Sequence, residues 1–271
     1  LETKQADISM VSIQDVKSLE SKGFKMHDGL NQVLGQFLYM SGNYWSYVDP
    51  ATGEDVPLRK GFTPGPDYPW IGDPRNNGDT KDIDLTLDDS GRFNNESMKK
   101  AQAFRRAILH AIDRDLIAET ITAGYGKPIY GGGHGSNQAF DESHPEWKDK
   151  WKIAYDVDLA KEYLAEAGVE AGFEFEYFCP QPTASMEVCQ ATVGMIEENL
   201  GLKINIASQT YGSRRPTMVG REINVIWQTN WGPNSTHIAQ SPGGTIPVCC
   251  LWPIQSGGYN PGIESNEFYN D

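Results

Sequence analysis

The stretch Trp227-Gln228-Thr229-Asn230-Trp231-Gly232-Pro233-Asn234 holds the residue types best suited to chemistry with a bound molecule. Trp227 and Trp231 offer flat apolar faces, and the Asn230 amide both donates and accepts hydrogen bonds. Gln181, within Pro180-Gln181-Pro182-Thr183, supplies another amide, and Tyr44 and Trp45 supply further aromatic surface. Aromatic platforms with amide partners suit the faces and hydroxyls of sugars. A packing reading stands beside this one. A tryptophan inside a strand is ordinarily core, and Tyr44 and Trp45 can lie against their own loop.

Covalent and metal chemistry find no comparable grouping. The histidines His27, His110, His134, His144 and His237 are scattered, with no H-E-x-x-H spacing, so no metal site is expected. No G-x-S-x-G elbow occurs, and the carboxylate pairs Asp88-Asp89 and Glu197-Glu198 sit in ordinary solvated contexts. Gly131 to Gly135 lacks the lysine and hydroxyl of a phosphate-binding loop. Neither a catalytic residue nor a cofactor is expected. The alternative, a carbohydrate-active hydrolase, would draw on the loop carboxylates Asp67, Asp73 and Asp79. Cys179, Cys189, Cys249 and Cys250 show no C-x-x-C metal spacing, and both a structural disulfide and free thiols fit them.

These candidates sit in a chain of 271 residues with 23 basic and 37 acidic side chains, a net charge of −14. Such a field repels phosphate backbones and anionic lipid, which argues against nucleic acid or a membrane surface as partner. A mean hydropathy of −0.52 fits a soluble protein. The longest apolar stretches, such as Ile246 to Trp252, are too short to span a bilayer. The chain opens at Leu1 without a basic and apolar leader and stops at Asp271 after a loop-like stretch, so an internal to C-terminal fragment is expected.

The elements that must position the candidates follow from periodicity. Val11, Val16 and Leu19 predict a short helix ending at Gly23, and Val33 to Met40 a buried strand. Residues 41–95, broken by prolines and glycines yet rich in aromatics, read as a long ordered loop that is either functional or packed on the surface. Phe104, Ala107, Ile108, Ala111 and Ile112 mark one helix face, after which Asp113 caps a second helix. Asp156 caps a further helix that Gly168 ends. Phe173, Phe175 and Tyr177 alternate as a half-buried strand, Ser185 to Leu200 is helical, and Leu202, Ile204 and Ile206 share one strand face. After a helix-like Tyr211 to Gly220 comes a strand, Ile223 to Trp227, that runs out into the candidate stretch. Strand, helix and strand in alternation indicate an α/β lobe with an open sheet.

Two of these segments carry a family resemblance. Arg105-x-Ala107-Ile108-x-x-Ala111-Ile112-Asp113-Arg114, followed by Ile117-x-x-x-Ile121-x-x-Gly124-x-Gly126-x-Pro128, resembles the central signature of the family 5 (peptide/nickel/oligosaccharide-type) extracellular solute-binding proteins of ABC importers. Tyr155-Asp156 through Glu166-Ala167-Gly168 resembles a second element of that family, and Leu1, Ala6, Asp7 and Ile8 match a third. The resemblance implies a periplasmic-binding-protein-like fold (type II, cluster C), with an open mixed sheet flanked by helices. On it, residues 1–40 are the end of a first lobe and the hinge strand, 41–95 a loop insertion, and 96–271 a truncated second, ligand-binding lobe.

It implies, further, a monomeric periplasmic or extracellular protein, with a lipoprotein anchor as one form. Such a protein captures a small solute, an oligopeptide, an oligosaccharide or similar, between two lobes and delivers it to membrane permease subunits. A sensory binding module uncoupled from transport shares the same fold. Peptide-binding relatives place an aspartate against the ligand's α-ammonium group, and that position resembles Asn230 here. The dipeptide-specific arginine after the Phe173 strand has no basic counterpart in Pro180 to Thr183. An amide forgoes the charge-assisted bond, so a non-peptide ligand is expected.

Overall fold

The computed structural model describes residues 7–9, 11–27, 35–40, 65–79, 82, 84–126, 128, 152–181, 185–219 and 225–231. Six helices and four strands are described: α1 (Val16–Ser21), β1 (Gly35–Met40), α2 (Glu96–His110), α3 (Arg114–Thr120), α4 (Val157–Ala167), β2 (Glu174–Gln181), α5 (Ser185–Leu200), β3 (Lys203–Thr210), α6 (Tyr211–Val219) and β4 (Ile226–Trp231). The strands form one sheet in the order β1-β4-β2-β3. β2 pairs in parallel with both β3 and β4, while β1 runs antiparallel to β4. The sheet is therefore open and mixed, as expected for an α/β lobe.

Local chemistry sets the helix boundaries. The side chain of Asn95 accepts from the Met98 N–H, that of Asp113 from Leu116 and that of Asp156 from Leu159, satisfying donors a first turn leaves orphaned. Gly168 ends α4 at φ 73°, a left-handed position where a side chain would be strained. The N-terminal helix is shorter than its apolar spacing suggests: a 3₁₀ turn at Ile13–Asp15 leads into α1, and neither buries a residue. With no packed face, only two short turns form.

The core joins three parts of the chain. Trp70, 2% exposed, lies 5.8 Å from the Phe104 ring of α2 and 5.5 Å from the Phe175 ring of β2. Arg105 donates to the Trp70 carbonyl at 2.9 Å. At Gly72 a Cβ would meet Met98 Cα at 2.8 Å, so only glycine lets this segment approach α2 so closely. Trp70, Ile71 and Phe93 thus supply core from within the long loop.

Between α2 and α4, the Tyr163 ring stacks on His110 and lies under the guanidinium groups of Arg92 and Arg106, while Arg92 pairs with Glu166 at 2.6 Å. Asn199 of α5 donates to the Ala111 carbonyl at 2.9 Å and ties that helix to the end of α2. α5 covers the sheet face that carries Tyr177, Cys179 and Ile226. On the other face α6 sets Arg214 over the Phe178 ring at 5.3 Å. β3 is an edge strand among the described strands, and the three residues expected on one face differ: Leu202, just before β3, is buried, Ile204 half-buried and Ile206 40% exposed.

Candidate functional site

The three ladders of the sheet differ in length. β2 and β3 stay in register from Glu174↔Lys203 to Gln181↔Thr210. β1 and β4 stay paired from Met40↔Ile226 to Gly35↔Trp231. Between them, β2 and β4 pair only at Tyr177↔Ile226 and Phe178↔Trp227. Beyond that point both strands continue, β2 as Cys179-Pro180-Gln181 and β4 as Gln228 to Trp231, without pairing to each other. Pro180 has no N–H with which to extend the ladder, a local reason for the parting.

This seam is also where the connectivity reverses. From β2 the chain crosses by α5 to β3 on one side, and from β3 it returns by α6 to β4 on the other. In open α/β sheets such a switch point, at the carboxyl ends of the strands, is where crevices for ligands form. The floor of the seam is a buried polar contact. Tyr177 donates its hydroxyl to Oε1 of Gln228 at 3.0 Å, and Gln228 is only 2% exposed. Burial pushes the Tyr177 phenol far above its ordinary range, so it remains a donor. From the sequence, Tyr177 reads only as a strand residue and Gln228 only as part of the candidate stretch. A polar pair of this kind has no sequence signature, because the partners lie 51 residues apart.

The predicted residues distribute as follows. Gln181 closes β2 with its side chain exposed, and Asn230 and Trp231 are the last two residues of β4, in register with Gln36 and Gly35. The backbone thus brings all three to the carboxyl ends of the two parting strands. The expected strand end at Trp227 is corrected: β4 begins at Ile226 and runs to Trp231, because β1 supplies an antiparallel partner along its whole length. Trp227 is 3% exposed and packs within the sheet, where no open ring face is left for stacking. Tyr44 and Trp45 lie outside the described residues, as do Cys249, Cys250 and the Gly131–Gly135 turn.

The residues considered for other chemistry are accounted for one by one. Asp73 is held by Arg75 through two contacts of 2.8 and 2.7 Å, while Asp67 and Asp79 are exposed. His110 sits in the last turn of α2 with Nδ1 2.8 Å from the Ala154 carbonyl, and burial lowers its pKa. Among the described residues no group of three or more His, Cys, Asp or Glu could hold a metal ion. Cys179 and Cys189 form a disulfide with Cα atoms 6.2 Å apart, both residues being fully buried. Of the two alternatives left open for these cysteines, the cross-link is the one observed.

Comparison with known proteins gives a family match over residues 1–242, to the bacterial extracellular solute-binding proteins, family 5 Middle. The chain belongs to this family. Family 5 proteins are transport binding proteins rather than enzymes, which removes the hydrolase alternative. No curated protein matches this family 5 chain significantly.

Solved structures similar to it include a periplasmic binding protein, DppA, of Helicobacter pylori in complex with the peptide STSA. It is 21% identical with a TM-score of 0.38, over 49% of this chain and 24% of that one. The murein tripeptide binding protein MppA of Escherichia coli is 18% identical with a TM-score of 0.41, over 50% and 27% of the two chains. AgaA of A. tumefaciens R10, in complex with agropinic acid, is 24% identical with a TM-score of 0.38, over 47% and 25%. The family 5 chain therefore spans about a quarter of the length of these relatives. Among its described residues no helix is long and apolar enough to cross a membrane.

Proposed function

We propose that this chain takes part in capturing a small polar solute for an ABC importer, as the second lobe of a two-lobed binding protein that hands its cargo to a membrane permease. Family membership supports the class of activity, and the parting of β2 and β4 beyond Phe178↔Trp227 is the observation that carries the site. The solute contacts are Gln181, Asn230 and Trp231 at the carboxyl ends of those strands, with Tyr44 and Trp45 as further candidates. Trp227 serves as buried floor.

The absence of an ionisable side chain from Gln228 to Trp231 and from Pro180 to Thr183 favours an uncharged ligand, such as an oligosaccharide, over a zwitterionic peptide. Closure follows if the solute touches both lobes only in the closed state, so that binding shifts that population. The buried Cys179–Cys189 bridge fits a periplasmic or extracellular setting, where disulfides persist.

The test is a nuclear magnetic resonance titration of the labelled chain with maltotriose and, separately, with trialanine. Maltotriose should perturb Gln181, Asn230 and Trp231, weakly but saturably, and trialanine should compete poorly. Tight trialanine binding that survives Asn230→Ala would refute the neutral-ligand reading.

A further inference from the structure

We propose that the Cys179–Cys189 disulfide is a positioning element of the crevice, holding the end of β2 in place at the point where β4 ceases to hold it. The inference rests on the crevice reading above. The last β2–β4 pair is Phe178↔Trp227, and Cys179 is the very next residue of β2. From there the strand keeps β3 on one side and, among the described residues, has no sheet neighbour on the other.

The bridge replaces that lost neighbour with a covalent tie to α5, across a sequence separation of 10. Gln181, the exposed candidate contact, lies two residues beyond the tie and inside the ring it closes. The ring also holds Pro180, which cannot donate a backbone hydrogen bond in either direction. Without the cross-link this end of β2 would keep its packing in the core and the β3 ladder, and β3 is the edge strand of the sheet among the described residues.

A second contact completes the arrangement from the other side of the seam. Tyr177, two residues before Cys179, fixes the Gln228 carboxamide of β4 at 3.0 Å. The two strand ends are thus set by different contacts: that of β4 by β1 and by the Tyr177 hydroxyl of β2, that of β2 by β3 and by the disulfide. Cys189 lies in the second turn of α5, whose buried Val188, Val193 and Ile196 are seated in the core, so the tie leads to a fixed body. Both cysteines are 0% exposed. That burial suits a permanent strut, since reagents reach it only through local opening.

The experiment compares the full chain with its Cys179→Ala/Cys189→Ala variant by hydrogen exchange and by maltotriose titration. A positioning role predicts that backbone amides of Gln181 and Cys189 to Ala191, in the α5 turn that carries the tie, exchange about tenfold faster in the variant, while Tyr177 and Ile226 stay protected. It also predicts a several-fold weaker maltotriose response, read at the side-chain amide of Gln181. Unchanged exchange at Gln181 and residues 189–191 would overturn the proposal. So would a uniform acceleration over the whole sheet, which marks a general staple.

If the variant does not fold, the same exchange measurement is made on the intact chain before and after reduction with dithiothreitol. That dithiol supplies two electrons and two protons to give two thiols and is itself oxidised to the cyclic disulfide. The exchange pattern judges the strut by itself. Failure of maltotriose and trialanine alike to perturb the oxidised chain refutes the crevice reading instead.

Discussion

Replacing Tyr177 by phenylalanine removes one oxygen from the floor of the β2–β4 seam and leaves the ring in place. Its hydroxyl donates to Gln228 Oε1 at 3.0 Å, and both residues are buried. A neutral hydrogen bond contributes about 1 kcal/mol net, but a buried acceptor left without a donor costs about 1–3 kcal/mol. Tyr177→Phe should therefore destabilise the chain by about 2 kcal/mol, and Gln228→Leu by a similar amount through the orphaned hydroxyl. Once both polar groups are gone, neither is left unsatisfied. The double variant should lose only about 1 kcal/mol, less than either single, a coupling of about 3 kcal/mol.

Urea unfolding of the four proteins at neutral pH reads these values, provided the slopes stay equal. An alkaline limb checks the same contact. Burial raises the Tyr177 pKa in the fold above its ordinary 10.0, so the folded chain keeps a proton that the unfolded chain releases. The stability it contributes is complete below that ordinary value and falls as the pH climbs past it. Tyr177→Phe should make that fall shallower. Additive singles, or a Tyr177→Phe variant as stable as the parent, would refute the reasoning.

Three further outcomes follow from the packing. Trp70→Ala should cost about 3–5 kcal/mol in the same urea assay, because it empties the aromatic junction with Phe104 and Phe175; a loss below about 1 kcal/mol would place residues 65–95 outside the cooperative core. Asp156→Ala should cost about 1 kcal/mol by leaving the Leu159 N–H uncapped, while Asp156→Ser keeps most of it. His110, whose pKa burial lowers, stays neutral in the fold where the unfolded chain takes up a proton, so its contribution is intact above histidine's ordinary 6.5 and is lost on acidification. His110→Phe should flatten that acid limb, as seen in urea midpoints at neutral and mildly acidic pH.

Much of the architecture was legible because it is written in local periodicity. Asp113, Asp156 and Gly168 announced helix ends by their own chemistry, and the Phe175–Tyr177 alternation announced β2. Where the reading went astray, the deciding partner was distant in sequence. Gln228 to Trp231 look like a loop beside Gly232 and Pro233, yet β1, nearly two hundred residues earlier, pairs with them and makes them strand. Trp70 lies in a stretch without period, so its place in the core depends on Phe104 and Phe175 rather than on its neighbours. Ile206 fits the β3 alternation but is exposed, because alternation cannot tell an edge from a centre.

The candidate site shows the same division. Amide and aromatic types could be picked out singly, whereas the seam that gathers Gln181, Asn230 and Trp231 is a property of strand order.

The measurement that bears most directly on that seam is a residue-by-residue map of where maltotriose meets the labelled chain. The account predicts saturable shifts confined to the carboxyl ends of β2 and β4, centred on Gln181, Asn230 and Trp231, with the sugar recovered unchanged. Shifts centred instead on the outer edge of β3 or on residues 65–95, or hydrolysis of the sugar by the purified chain, would contradict it.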